Sequence, residues 1–578
     1  MPRSVAEPVI SFTDFSFKYK IQSEPTLRDI NLKIYPGEKV LILGPSGSGK
    51  STLANCINGL IPFSHAGEMT GSCKVAGEET RGLNIFKLSR RVGTVLQDSD
   101  AQFVGLSVGE DIAFSMENEA TPRSEMLPRV DTDAGAVGMR KYLKALPFDL
   151  SGGEKQKTAM AGVLGGGADI LLFDEPLASL DPRAGMAAVD MIDRLARTNG
   201  RTAVIIEHRL EDVLYRPIDR VVLMSEGRIA ADAAPDELLR SDLLKKYGIR
   251  EPLYITAMKL AGCDLGTVGN LADVSGMVLS DENKKKLVAF CMTPAERAER
   301  EYGGEALKIE NVSFAYAGGA DAVRRINLNI KKGERVAVIG KNGAGKSTMA
   351  RLICGINRPR EGSIAVGGED AAELSIKEIG TRVGFVMQNP NQMIIKDIII
   401  DETELALIFR DVPKEERTRR VKDALEACGL YGERNWPVDA VSYGQKKRVT
   451  VASVLSVGPD TIILDEPTAG QDYRHYTEII DFINRLNADY GKTIIFITHD
   501  MHLAIENAER AVVFADGEII ADDAVFAVLS DDDLINRANL KRTSLYILAN
   551  LLGIAPEGFI KRFTERERGL PDEQQAGN

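Results

Sequence analysis

Residues 39–52 read KVLILGPSGSGKST, and residues 335–348 read RVAVIGKNGAGKST. Each stretch opens on a short apolar run suited to a buried strand, breaks on glycines, and matches G-x-x-x-x-G-K-[ST] in full. Glycines let a backbone fold tightly around an anion with its N–H groups turned inward. A helix starting at the lysine adds the positive end of its dipole. Gly44, Pro45, Ser46, Gly47, Ser48, Gly49, Lys50, Ser51 and Thr52 form one candidate phosphate cradle. Gly340, Lys341, Asn342, Gly343, Ala344, Gly345, Lys346, Ser347 and Thr348 form the other. In such a loop Lys50 and Lys346 reach the β- and γ-phosphates of a nucleoside triphosphate, and the hydroxyls of Ser51 and Ser347 face Mg²⁺. One loop could be an incidental glycine-rich turn. Two, each behind a strand, are not.

The two loops belong to a longer duplication. ILLFDEP at 170–176 returns as IILDEP at 462–467. Lys50 and Lys346 lie 296 residues apart, whereas Gln97 and Gln388, Ser151 and Ser442, Asp174 and Asp465, and His208 and His499 each lie 291 apart. Leu253-Tyr254-Ile255 and Leu545-Tyr546-Ile547 continue the series at 292, which predicts a helical extension at the end of each half. We read one lobe over 6–265, a connector over 266–304 carrying Lys284–Lys286 and the apolar, strand-like run Gly276–Leu279, a second lobe over 305–563 and a polar, frayed tail over 564–578. Further β-branched runs at Ala203–Glu207 and Thr493–Thr498 alternate with helical patterns, so each lobe is α/β with a largely parallel sheet.

Composition narrows the function. Of 578 residues, 44% are hydrophobic and 27% charged, as in ordinary folded domains, and the formal net charge is −12. That acidity opposes an electrostatic nucleic-acid binder, which needs clustered Lys and Arg. No run of 18 apolar residues suggests a membrane span, and the N-terminus lacks the apolar core of a signal peptide. The six cysteines form no C-x-x-C pair, which argues for reduced thiols rather than zinc or disulfides.

Asp174 and Asp465 end apolar runs, where a carboxylate can bind the magnesium shell, and Glu175 and Glu466 follow at once, placed to polarise an attacking water as general bases. His208, in VIIEHR, and His499, in FITHD, each end a later strand run. A neutral imidazole there could order the water and sense hydrolysis. Gln97 and Gln388 take their weight from their place between the phosphate loop and the Asp-Glu pair.

LSGGEKQK at 150–157 and VSYGQKKR at 441–448 resemble the LSGGQ signature of ATP-binding-cassette (ABC) ATPases. With the two Gln residues, SLD at 179–181, GQD at 470–472 and the histidines, each lobe resembles a complete cassette. The resemblance implies a RecA-like P-loop core with an antiparallel β subdomain and a helical signature subdomain. It also implies that the lobes pair, so that each MgATP lies between one phosphate loop and the opposite signature. One site then joins Lys50, Asp174, Glu175 and His208 to Ser442, Tyr443, Gly444 and Gln445. The other joins Lys346, Asp465, Glu466 and His499 to Ser151, Gly152, Gly153 and Glu154. It further places Gln97 and Gln388 at the magnesium and water, and Tyr19 and Tyr316 at the adenine-stacking position. Glu154 departs from the usual Gln and Tyr443 from the usual Gly, but both bases and both histidines are kept, which predicts two hydrolytic sites.

The stretches QDSDAQFVGLSVGEDIAF from 97 and QNPNQMIIKDIIIDE from 388 resemble the duplicated ATPase of energy-coupling factor (ECF) importers, with a second Gln, an apolar stretch and then an acidic residue. SYGQKKRV, EPTAGQD and IEHRLEDV are similar to the same family. The resemblance implies a peripheral protein on the cytoplasmic face of the cell membrane, working with a transmembrane coupling subunit and a substrate-binding membrane subunit. Import of a vitamin or metal ion would follow. Phe103, Val104, Leu106, Met393, Ile394 and Ile395 are candidate lips of the coupling grooves. Two other readings stay open: the duplicated ATPase of a sugar-type importer, and a soluble tandem cassette protein acting on ribosomes.

Overall fold

In the computed structural model, the structure describes residues 7–97, 102–178, 180–197, 200–292, 302–319, 321–467 and 473–569. The chain divides into two compact units. One runs to Ile255 and takes in Leu265–Leu279; the other comprises Thr256–Asp264 and the chain from Ser280 onward. Each unit holds a parallel core sheet, a smaller antiparallel sheet and a helical group, as the sequence predicts.

In the first unit the core sheet has the order Arg228–Ala233, Arg220–Ser225, Lys39–Leu43, Thr202–Ile206, Ile170–Asp174, Val92–Val95. Its last five strands are parallel, and only the hairpin strand Arg228–Ala233 runs the other way. Lys39–Leu43 is buried along its whole length, which explains why it reads as an unbroken apolar run rather than an alternating one. Beside it, Leu27–Ile34, Ile10–Tyr19, Gly67–Val75 and Glu78–Glu79 form the antiparallel sheet. There Ile10, Phe12, Phe15 and Phe17 turn inward against Leu53 and Ile57 of the helix Lys50–Asn58. The step from even to odd positions falls at a register shift where Asp14 takes φ 45°, so a bulge keeps all four side chains on the core face.

The second unit repeats this plan. Its core sheet runs Val383–Val386, Thr461–Asp465, Thr493–Ile497, Arg335–Gly340, Arg510–Ala515, Glu518–Ala524, and its antiparallel sheet runs Asp321–Lys331, Glu305–Ala315, Glu361–Val366, Glu369–Asp370. In each unit three helices pack together as the helical group: Val108–Asn118, Arg123–Ala136 and Gly152–Gly165 in the first, Ile399–Ile408, Lys414–Ala427 and Tyr443–Val457 in the second.

One cluster locks both sheets together in each unit. Arg220 donates to Asp232 at 2.7 Å, Glu38 at 3.1 Å and the carbonyl of Lys33 at 2.8 Å. Arg510 repeats this with Asp522 at 2.5 Å, Glu334 at 3.1 Å and the carbonyl of Asn329 at 3.0 Å. Lys33 and Asn329 lie on antiparallel-sheet strands, so one planar guanidinium ties the two layers.

The connector departs from the sequence reading. Gly276–Leu279 looks strand-like, but among the described residues it forms only a single bridge, between Gly269 and Val278. Lys284–Lys286 lie on the helix Asp281–Met292, which packs on Pro556–Gly569 with the rings of Phe290 and Phe559 edge-on at 6.1 Å. The repeated Leu-Tyr-Ile segments begin the helices Leu253–Leu260 and Ser544–Leu552, but from Thr256 the first of these belongs to the second unit and does not close the first. The tail does not fray from residue 564: the helix Pro556–Gly569 runs through its first part with Thr564 buried, and the rest, 570–578, lies outside the described residues. No helix of the described residues is long and apolar enough to cross a membrane, and all six cysteines are free.

Each arginine clamp should be worth the loss of charged hydrogen bonds, about 2 kcal/mol. Arg220→Ala or Arg510→Ala is therefore expected to lower the melting midpoint of its own unit by about 4–8 °C, measured by calorimetry of the full chain.

Candidate functional site

The two phosphate loops are built alike. Behind the buried strand the first chain leaves through Gly44, where a Cβ would stand 2.4 Å from the carbonyl oxygen of Met224. Gly47 and Gly49 then take left-handed φ of 75° and 97°, and Gly49 caps the helix Lys50–Asn58. In the second unit Gly340, Gly343 and Gly345 take φ of 145°, 77° and 105°, and Gly345 caps Lys346–Ile353. Side chains at these glycines would clash or strain the turn, so the loop sequence is dictated by backbone shape. Lys50 Nζ donates to the carbonyls of Gly44 at 2.7 Å and Pro45 at 2.8 Å, and Lys346 Nζ donates to those of Gly340 and Lys341 at the same two distances. An ammonium held by a glycine-rich loop at a helix N-terminus fits a polyphosphate.

Tyr19 and Tyr316 stand at matching places beside these helices. Their hydroxyls lie 3.2 Å from Thr52 Oγ1 and 3.3 Å from Thr348 Oγ1, and each ring meets a neighbouring Phe edge-on. The structure thus brings both tyrosines beside the helices that follow the loops.

Asp174 and Asp465 close their strands. Ser51 Oγ donates to Asp174 at 3.4 Å, and Ser347 lies beside Asp465 in the second unit. Burial, aided by the adjacent glutamate, pushes both aspartates up to about 6. Two oxygen donors in a buried corner beside the phosphate cradle suit a hard divalent cation, whose charge would offset that cost.

Glu175 and Glu466 share an unusual backbone, with φ of 47° and 48°. Each N–H still donates to the neighbouring strand, at Ile206 and Ile497. The left-handed turn therefore comes one residue past the strand end and throws the carboxylate towards the site. Such strain in a non-glycine residue is held only by its surroundings.

Those surroundings differ between the lobes. Glu175 accepts a hydrogen bond from Gln97 Nε2 at 2.6 Å. Glu466 instead pairs with His499 Nδ1 at 2.7 Å and accepts from Thr498 Oγ1 at 3.4 Å. His208 does not join Glu175 in this way; its Nδ1 lies 3.3 Å from Glu207. Gln388 is met through its main-chain carbonyl, which accepts from Tyr443 Oη at 3.5 Å. Lys447 on the signature helix donates to the main-chain carbonyl of Glu466, and burial lowers its pKa to about 8.

Both signature serines begin helices. Gln445 N donates to Ser442 Oγ at 3.2 Å while Ser442 N donates to Gln445 Oε1 at 2.9 Å, a reciprocal capping box. In the first unit the N–H and Oγ of Ser151 both donate to Glu154, at 3.0 and 2.8 Å. Glu154 thus serves as the helix-capping partner in place of Gln, and bonds to Tyr142 and Ser151 hold its carboxyl below the usual range. Gly152, Gly153, Tyr443 and Gly444 occupy the first turns of the two helices. Ser179 and Gly470–Asp472 lie outside the described residues; Asp181 caps the helix Pro182–Arg197, accepting from Ala184 N at 2.9 Å.

The segments after Gln97 and Gln388 are held by their acidic residues. Asp111 Oδ1 accepts from the N–H groups of Val104 and Gly105, both at 2.8 Å, and Glu402 Oε2 accepts from Ile395 at 2.8 Å and Lys396 at 2.7 Å. Among the candidate lip residues Val104, Leu106 and Ile395 are exposed, while Phe103, Met393 and Ile394 are half-buried. The second Gln differs between lobes. Gln102 Oε1 accepts from Leu96 N at 3.2 Å, but the equivalent bond in the second lobe, from Met387 N at 3.2 Å, goes to the sulfur of Met393 and not to Gln392. Sequence reasoning passed over Glu207, Lys447 and this methionine. A residue-by-residue comparison of the repeats would have exposed them, because Glu207 faces Thr498, Gln156 faces Lys447 and Gln102 faces Met393 at the common offset of 291.

Comparison with known proteins agrees with this geometry. Residues 27–178 and 323–469 match the ABC transporter family, and residues 241–314 match a family described as ATP-binding cassette cobalt transporter. A Clostridium perfringens protein named as an ABC transporter ATP-binding protein is 50% identical over 97% of this chain and 99% of its own length. A similarly named protein of Enterococcus faecalis is also 50% identical, over 97% and 99% of the two chains, and one of Vibrio vulnificus is 48% identical over 97% of each. The chain belongs to the ABC transporter ATPases, as a transporter subunit whose two cassettes bind and hydrolyse MgATP.

Proposed function

We propose that this chain is the energy-coupling ATPase of an ECF-type importer, with two composite nucleotide sites formed when the lobes pair. The observation that carries the reading is the match of residues 241–314 to a cobalt-transporter cassette family, lying where the connector joins the lobes. It favours a transition-metal ion over a vitamin as the solute. The exposed apolar residues Val104, Leu106 and Ile395, on segments braced by Asp111 and Glu402, offer purchase for helices of a membrane coupling subunit. The transport path then lies in other chains, and this one works from the cytoplasmic face.

In the composite sites the residues divide the work. Lys50 and Lys346, with the loop N–H groups, hold the β- and γ-phosphates, and Ser51, Ser347, Asp174 and Asp465, with Gln97 and Gln388, form the magnesium shell. Bound Mg²⁺ neutralises charge developing on the phosphate oxygens. Glu175 and Glu466 orient and deprotonate the attacking water, and His208 and His499 fix its position. Ser151 with Gly153, and Ser442 with Gly444, present helix N-terminal N–H groups to the γ-phosphate of the opposite lobe. Tyr19 and Tyr316 stack on adenine.

Extraction of native membranes with mild detergent, followed by affinity capture of the tagged chain, tests the placement. Recovery of integral membrane proteins and stimulation of ATPase by them are expected; co-sedimentation with ribosomes instead would overturn it.

The aspartates make a separate prediction. A protonated carboxyl cannot ligate a cation, and these two take up their proton as pH falls through about 6. Mg²⁺-dependent nucleotide affinity should therefore be full at pH 8 and weaken by about tenfold per unit below pH 6, read by fluorescence of a labelled ATP. Asp174→Asn should abolish this dependence at the first lobe's site alone. Steady-state turnover should fall steeply in Glu466→Gln and be lost altogether when Glu175→Gln is added; complete loss in Glu466→Gln alone would show that the first lobe's site does not hydrolyse.

A further inference from the structure

The two lobes brace their glutamates with buried groups of opposite charge. In the second lobe Lys447 is 1% exposed, and its ammonium donates to the main-chain carbonyl of Glu466 while His499 and Thr498 take that residue's carboxylate. At the matching place in the first lobe the neutral Gln156 donates to the carbonyl of Pro176. The residue before the histidine is there Glu207, which is 0% exposed. Its carboxylate accepts from the N–H groups of Leu177 at 3.2 Å, His208 at 2.9 Å and Arg209 at 3.4 Å, and Arg209 donates in turn to the carbonyl of Leu177. The segment behind Glu175 is thus stapled to the segment carrying His208, and the imidazole faces Glu207.

We propose that Glu207 and Lys447 are positioning residues that make the two sites unequal: Glu207 holds His208 off Glu175 and slows hydrolysis there, and Lys447 fixes Glu466 beside His499 for fast turnover. The physical basis is simple. A histidine bonded to the water-activating carboxylate fixes that carboxylate and itself in one arrangement, as in other base–orienter pairs, whereas one turned to a neighbouring carboxylate leaves the base without it. Lobe two has the first arrangement and lobe one the second.

This inference rests on the assignment of Glu175 and Glu466 as bases, and the test separates the two. In the full chain, Glu466→Gln leaves the first lobe's base to be read alone and Glu175→Gln leaves the second. The latter should turn over about tenfold faster, the worth of one charged hydrogen bond. In the Glu466→Gln background, Glu207→Thr, which restores the second lobe's residue, should raise kcat about tenfold with KM for ATP changed less than about twofold. Glu207→Gln, which keeps the shape but drops the charge, should raise it in part. In the Glu175→Gln background, Lys447→Gln should lower kcat by a similar factor and Lys447→Arg should restore it. A merely structural role predicts losses and lowered melting midpoints, never a gain at Glu207. Equal turnover of the two single Gln variants would overturn the inference, as would a Glu207→Thr and a Glu207→Gln that both leave kcat unchanged or lower it. Full activity in the double Glu175→Gln, Glu466→Gln variant would instead remove the base assignment itself, and this inference with it.

Discussion

A helix that begins on a left-handed glycine immediately behind a buried strand is the constraint on which each lobe depends. The strand cannot shift, because it is covered on both faces. The glycines cannot be replaced without a collision or an unfavourable φ. The lysine that follows is therefore delivered to one place, where the loop carbonyls grip its ammonium. The aspartate and glutamate then arrive at the end of the next strand but one, so that sheet order brings both carboxylates beside the loop that carries the lysine.

Around this frame the two lobes diverge in a consistent way. Scaffold features are repeated almost atom for atom: the arginine clamp across the sheets, the left-handed glutamates and the acidic brace beneath each Gln segment. The variable features cluster within reach of the glutamates. Glu207 replaces Thr498 and Gln156 replaces Lys447, and the bonding of the histidines changes with them. Duplication has thus preserved the support and released the chemistry.

Much of this was legible in the sequence because the informative residues are constrained by local backbone geometry. The phosphate loops, the strands before them and the signature helices each carry their own pattern of glycines, caps and apolar runs. The connector was harder to read. Gly276–Leu279 has β-branched and apolar character, but no neighbouring strand offers it more than one bridge, so propensity was overridden by tertiary context. The partner of each histidine was invisible for a different reason. It depends on a side chain one residue away and on another brought in from the signature helix, and spacing along the chain does not record either. The role of Met393 was hidden because a thioether accepting a backbone hydrogen bond has no motif.

Carrying both cassettes on one polypeptide has a consequence for inheritance. A single-cassette gene used twice must compromise, since every mutation enters both copies at once. Here the codons for Gln156 and Lys447 drift apart freely, and translation still delivers the two specialised halves in strict one-to-one ratio. Division of labour needs no separate rule for assembling unlike partners.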